Sequence, residues 1–168
     1  MLFKIDKILC PLDFSDYSYR ALQIACDLAT DYKAKLLLLH VVPPVPVSVT
    51  KSDVMAASST TLDIVAYEEA MQKNAYAELE ALRKKIVPQK LKAELLVCIG
   101  QESDTIVEQA NEQQVDCIVM MTHGRTGLTR LIMGSTAENV IRHAKQPVLS
   151  LRIKEDDEYH EMGHVTQA

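Results

Sequence analysis

Met120-Met121-Thr122-His123-Gly124-Arg125-Thr126-Gly127-Leu128-Thr129-Arg130-Leu131-Ile132-Met133-Gly134-Ser135-Thr136-Ala137 is the stretch that decides the fold. A hydrophobic run, Cys117 to Met121, leads into it, and Ala137-Glu138-Asn139-Val140-Ile141 resumes a helical pattern after it. The order is strand, glycine-containing loop, helix start. Glycine permits close backbone approaches that a Cβ resists. A helix start offers N–H groups and a positive end to an anion. Two readings stand: a phosphate cradle after a buried strand, or an ordinary strand-to-helix connection.

Working outward, the same alternation recurs. Ile5 to Leu12 reads as a first strand that Pro11 ends, since proline cannot donate to the ladder. Asp13 follows, and Ser15 or Asp16 can cap a helix carrying Ala21, Leu22, Ala25, Leu28 and Ala29 at helical spacing. Lys35 to Val42 contains Leu36-Leu37-Leu38-Leu39-His40-Val41-Val42, a continuous apolar run suited to a strand covered on both faces. Pro43-Pro44-Val45-Pro46 stops it. The Pro-, Ser- and Thr-rich stretch to Thr61 reads as a long loop, either over a ligand or simply exposed. In it, Val47, Val49, Val54 and Met55 can pack against a partner chain.

A long helix is predicted over 62–87, with a stripe of Ala66, Ala70, Ala75, Leu79, Leu82 and Ile86. Lys92 to Ile99 is the third strand, and Ser103 can cap a helix reaching Glu112 to Gln114. Asp116 to Met121 is the fourth strand. Ser135 or Thr136 caps a helix through His143, and Val148 to Ile153 is the fifth strand. This order predicts an α/β fold, a single-domain open doubly wound five-stranded parallel sheet with helices on both faces. The domain spans 1–154, and 155–168 is an acidic tail expected to be disordered.

The chain has 168 residues, 48% apolar and 24% charged, enough for one substantial core. The net charge of −5 comes from the tail: Glu155, Asp156, Asp157, Glu158 and Glu161 have no Lys or Arg among them. Removing these five from 23 acidic residues leaves 18, against 18 Lys plus Arg. A neutral body argues against a nucleic-acid partner. The absence of a long apolar run argues against a membrane span, and the N-terminal stretch lacks a secretory layout, so a cytoplasmic location is expected. Cys10, Cys26, Cys98 and Cys117 form no C-x-x-C pair and read as reduced, buried thiols.

Ligands of doubly wound sheets sit at the carboxyl ends of strands. Asp13 there can accept from a sugar or base, or serve the first turn of the next helix. His40 reads as a core or rim histidine. His123 can flank a ligand or hold a structural hydrogen bond, and Arg125 and Arg130 can meet phosphate or solvent. Neither the P-loop nor the dinucleotide G-x-G-x-x-G pattern is present. His160-Glu161-Met162-Gly163-His164 matches H-E-x-x-H, but a zinc protease needs it on a helix with a third ligand, and no helical stripe surrounds it.

The opening Lys7-Ile8-Leu9-Cys10-Pro11-Leu12-Asp13-Phe14-Ser15, the run Leu37 to Val42, the segment Met121 to Ile141 and the ending Lys145-Gln146-Pro147-Val148-Leu149-Ser150-Leu151 together resemble the universal stress protein family over about residues 3–153. The resemblance implies an open five-stranded parallel sheet and a dimer joined near the last strand. One branch of the family binds ATP through G-x-x-G, nine residues, then G-S or G-T. In that register Gly124 is the second glycine and Gly134-Ser135 the final pair, while Met121 stands at the first glycine.

Carried over by position, Asp13 contacts the adenine or its neighbourhood, with Pro11 and Leu12 beside it, and Val41 bounds the adenosine pocket. Met121 and His123 lie beside the ribose or phosphates. Gly124 and Arg125 hold the phosphate region, and Gly134, Ser135 and Thr136 supply donors at the helix start. Mg²⁺ or Mn²⁺ would be held mainly by the phosphates, with no metal ligand and no catalytic residue assigned to the protein. The leading expectation is a cytoplasmic stress-response protein that binds ATP as a regulatory ligand, as a homodimer with an unidentified signalling partner. The alternatives are a slow ATPase or phosphoryl-transfer enzyme and a nucleotide-independent dimeric interaction protein.

Overall fold

The computed structural model describes residues 4–45, 57–122 and 133–152, the side chains of 57–63 excepted. Its elements are β1 (Lys7–Pro11), α1 (Asp16–Tyr32), β2 (Lys35–Val42), α2 (Ala57–Ile86), β3 (Ala93–Ile99), α3 (Glu102–Glu112), β4 (Cys117–Met121), α4 (Ser135–His143) and β5 (Val148–Leu151). The five strands form one sheet in the order β3-β2-β1-β4-β5, and every pairing is parallel. The expected doubly wound α/β architecture is the one observed.

The leucine run in β2 explains why the sheet is covered twice. Leu36, Leu37, Leu38 and Leu39 are all fully buried. Leu36 and Leu38 join a core with α1 (Ala21, Leu22, Ala25) and α2 (Leu79, Leu82). Leu37 and Leu39 join the opposite core with α3 (Ile106, Ala110) and α4 (Ala137, Val140). Side chains alternate across a strand, so a strand with no polar face needs helices on both sides. Each buried leucine contributes about 1.5–3 kcal/mol relative to exposure.

Several local expectations are revised. α2 begins at Ala57, inside the stretch expected to be loop. Serine and threonine weaken a helix only modestly, and an established helix propagates at little cost per residue. Of its predicted stripe, Ala75, Leu79 and Leu82 are buried and Ile86 is half-buried; Ala66 and Ala70 are exposed, as are Val65 and Tyr67. The 65–70 stretch of α2 therefore lies largely beyond the cover of the core. α3 is capped at Gln101 rather than Ser103, which is a buried residue within the helix. Cys10, Cys26 and Cys117 are buried as expected, while Cys98 is only half-buried. Among the described residues, no helix is long and apolar enough to cross a membrane.

The base of the sheet is tied where β1 and β4 begin. The Asp116 carboxylate accepts from the Asp6 and Lys7 N–H groups at 2.8 and 2.9 Å, and the Asp116 N–H donates to Lys7 O at 2.9 Å. Above it, the β1–β4 ladder spans two residue pairs, Ile8 with Cys117 and Leu9 with Ile118. The β1–β2 ladder runs over five pairs, from Lys7 with Lys35 to Pro11 with Leu39. β1 ends at Pro11 as expected, with one further bond from Leu12 N–H to Leu39 O at 2.8 Å.

Candidate functional site

From β1 the chain moves outward to β2 and β3, then returns to the other side of β1 to make β4. Strand order therefore reverses between β1 and β4, the position at which open α/β sheets form a crevice beyond their carboxyl ends. Two strand-to-helix junctions face it.

The first junction runs from Pro11 to Asp16. Asp13 Oδ1 accepts from the Ser15 N–H at 3.0 Å and from the Ser15 hydroxyl at 2.5 Å. The same Ser15 oxygen accepts from the Ser18 N–H at 3.2 Å and caps α1. Of the two roles open to Asp13, helix entry is the one its Oδ1 performs here. Phe14 adopts a left-handed φ of 62°, a conformation costing a side-chain-bearing residue roughly 1–2 kcal/mol. Its ring stacks on His40 with centroids 4.2 Å apart. His40 Nδ1 lies 2.7 Å from Leu12 O, and a carbonyl only accepts, so Nδ1 carries the proton. His40 is thus a half-buried rim residue that holds the β1 loop by both ring face and ring edge.

The second junction joins β4 to α4. Thr122 fastens the end of β4 to β5: its N–H and hydroxyl both donate to Leu151 O, at 2.9 and 3.1 Å. Its own carbonyl accepts from the Gly134 N–H at 2.7 Å. A Cβ on Gly134 would stand 3.1 Å from that carbonyl oxygen, tighter than ordinary contact. Close approach, not a positive φ, is what requires glycine here. Gly134 is also the N-cap of α4 and supplies no side-chain cap, so the expected caps Ser135 and Thr136 are instead the first two helical residues. The N–H groups of Ser135, Thr136 and Ala137 have no acceptor within the helix, because its first internal bond is Glu138 N–H to Gly134 O at 3.0 Å. Ser135 is exposed, and the half-buried Thr136 donates its hydroxyl to Glu102 Oε2 at 2.7 Å.

The remaining candidates fall around these junctions. Pro11 is half-buried and Leu12 buried at the end of β1, Val41 is buried near the end of β2, and Met121 is buried at the end of β4. Leu12 and Met121 pack in the core beneath α1 and α2, whereas Val41 belongs to the core beneath α3 and α4. The Met121 side chain therefore lies across the sheet from the start of α4. His123, Gly124, Arg125, Gly127 and Arg130 lie outside the described residues, as do segment 46–56, His160 to His164 and the acidic tail. Among the described residues, no three side chains of metal-binding type converge. Burial pushes the Cys10 thiol far up and the Cys26 thiol up to about 11, so both are poor nucleophiles at neutral pH. Sequence reasoning missed Thr122 and Glu102. Thr122 sits in the quoted segment without a distinctive neighbour, and Glu102 reaches the junction only through the packing of α3 on α4.

A family model described as the universal stress protein family matches residues 4–152. The universal stress protein MJ0577 of Methanocaldococcus jannaschii is 28% identical over 156 residues, covering 88% of this chain and 95% of that protein. Its solved structure superposes with a TM-score of 0.74 at 27% identity, over 89% of this chain and 97% of the other. Two more distant solved structures share the fold. One is a universal stress protein in complex with cAMP, with TM-score 0.56, 23% identity and coverage of 88% and 97%. The other is the universal stress protein from Archaeoglobus fulgidus in complex with dAMP, with TM-score 0.54, 20% identity and coverage of 90% and 100%. With a match over nearly its whole length and the same five-stranded architecture, the chain belongs to the universal stress protein family.

Proposed function

We propose that this chain is a cytoplasmic stress-response protein that binds ATP as a regulatory ligand in the crevice between β1 and β4. The observation that carries the reading is the β4–α4 junction. There, backbone contact between Gly134 and Thr122 leaves a helix start without a side-chain cap, at the point where strand order reverses. Such a start attracts phosphate through its N–H groups and its dipole. In this reading Gly134, Ser135 and Thr136 hold phosphate, with Gly124 and Arg125 from the preceding loop and His123 beside the ribose. Pro11, Leu12, Asp13 and Val41 border the base. Met121 is compatible with the site because its side chain is spent in the core on the far side of the sheet. Mg²⁺ or Mn²⁺ would ride on the phosphates. The cAMP and dAMP complexes add that this fold accommodates adenylates.

The reading includes a homodimer through β5. This strand ends the sheet order and exposes Leu149, and Ile141 on the neighbouring α4 is also exposed. An open sheet edge with apolar side chains favours pairing with another strand. ATP would regulate by binding two arrangements of dimer or partner surface unequally.

Calorimetric titration of nucleotide-free protein with AMP, ADP and ATP in Mg²⁺ tests the proposal. Saturable ATP binding is expected, weakened in folded Gly124→Ala and Ser135→Ala variants. Failure of a folded dimer to bind any nucleotide would favour a nucleotide-independent interaction protein. That second reading has its own support: Asp13 and Thr136 already have hydrogen-bond partners within the chain.

A further inference from the structure

Glu102 is the first residue of α3 and Thr136 the second of α4, and packing of the two helices brings them together across 34 positions of sequence. The contact is unusual in direction. α4 starts on a glycine without a capping side chain, and the carboxylate that reaches its first turn comes from a different helix. Glu102 is exposed, and among the described residues no Lys or Arg pairs with it. α3 adds Asp104, Glu108 and Glu112 and no basic residue, so nothing on that helix neutralises Glu102.

We infer that Glu102 is the charge-selecting residue of the nucleotide site, disfavouring bare polyphosphates and favouring nucleotides whose phosphates carry a divalent cation. The inference rests on the nucleotide reading of the crevice. The Glu102 carboxylate accepts the Thr136 hydroxyl, the donor a phosphate would otherwise take. An arriving phosphate must displace that carboxylate or lie beside it. Like charges so placed repel, and the penalty grows with ligand charge, so a free triphosphate is penalised more than a monophosphate. A divalent cation on the phosphates cancels two of those charges and offers the carboxylate a coordination position, because Mg²⁺ is commonly held by one or two carboxylates together with phosphate oxygens. The same side chain then opposes the free nucleotide far more than the loaded one.

The test is titration of the full chain with AMP and ATP, in Mg²⁺ and in EDTA, comparing wild type with Glu102→Gln and Glu102→Asp. Glutamine keeps length and a hydrogen-bond acceptor without charge; aspartate keeps charge. In wild type, removing Mg²⁺ should weaken ATP binding by roughly tenfold and AMP binding by much less. In Glu102→Gln the ATP loss should shrink to about two- to threefold, while Glu102→Asp should retain most of it. The difference should narrow as salt rises, because the carboxylate is exposed. A purely structural role for Glu102 would shift melting temperature without changing Mg²⁺ dependence. Intact nucleotide binding with the same Mg²⁺ dependence in Glu102→Gln overturns the role of Glu102 alone. Absence of all nucleotide binding by folded wild type overturns the nucleotide reading and this inference with it.

Discussion

The two junctions that face the crevice solve the same problem in opposite ways. At β1–α1, Asp13, Ser15 and Ser18 form a closed local chain of hydrogen bonds, so the start of α1 is satisfied by residues within a single turn. At β4–α4, Gly134 brings no side chain, and Glu102 arrives from α3 to meet Thr136. A start that caps itself has little left to offer a ligand. A start that borrows a carboxylate from elsewhere has donors a ligand can compete for.

The strongest way to break this contrast is Gly134→Val. Its branched side chain meets the Thr122 carbonyl at a point where even a Cβ stands 3.1 Å away. Overpacking of this kind typically destabilises by about 1–3 kcal/mol. Displacing the α4 start should also weaken nucleotide binding at least tenfold, read by urea melting and calorimetry on the same sample. Ser15→Ala attacks the self-capped junction instead. Loss of that cap should lower stability by about 1 kcal/mol. Urea unfolding would report it, and a loss no larger than that of an exposed serine elsewhere would show that the closed relay contributes little.

The smallest expected effect supplies a reference remote from both junctions. Glu80 is held down to about 2, from an ordinary 4.5, chiefly by its hydrogen bond to Arg83 and also by Lys84. A carboxylate with a lowered folded value adds stability that is complete above about pH 4.5 and is lost as pH falls toward 2. Glu80→Gln should therefore make the acid decline of stability slightly shallower between about pH 4.5 and 2, the effect being small because the pair is partly exposed. Subtracting this slope isolates acid-linked changes arising elsewhere. An unchanged slope would show that the Glu80–Arg83 pair contributes nothing measurable.

Much of the sheet was legible because its strands announce themselves. Four consecutive buried leucines, followed by Val41, Val42 and Pro43, leave little choice about where β2 runs or that both its faces are covered. The glycine-rich segment after Cys117 to Met121 marked the second junction for the same reason. The start of α2 was hidden because Ser58, Ser59, Thr60 and Thr61 signal a loop locally, whereas a helix of 30 residues overrides local preference. The α4 cap was misassigned because serine and threonine are better caps than glycine in general. The packing of Gly134 on Thr122 decided the matter instead. Glu102 was illegible in principle: nothing in a linear pattern says that α3 and α4 begin side by side.

The short β1–β4 ladder has a geometric consequence. The sheet is two plates, β3-β2-β1 and β4-β5, riveted at the base by Asp116 and by the pairs at Ile8 and Leu9. Above that seam Pro11 and Leu12 turn their backbone to Leu39 of β2 and not to β4, so the crevice opens within the sheet itself, between strands that stay bound beneath α1.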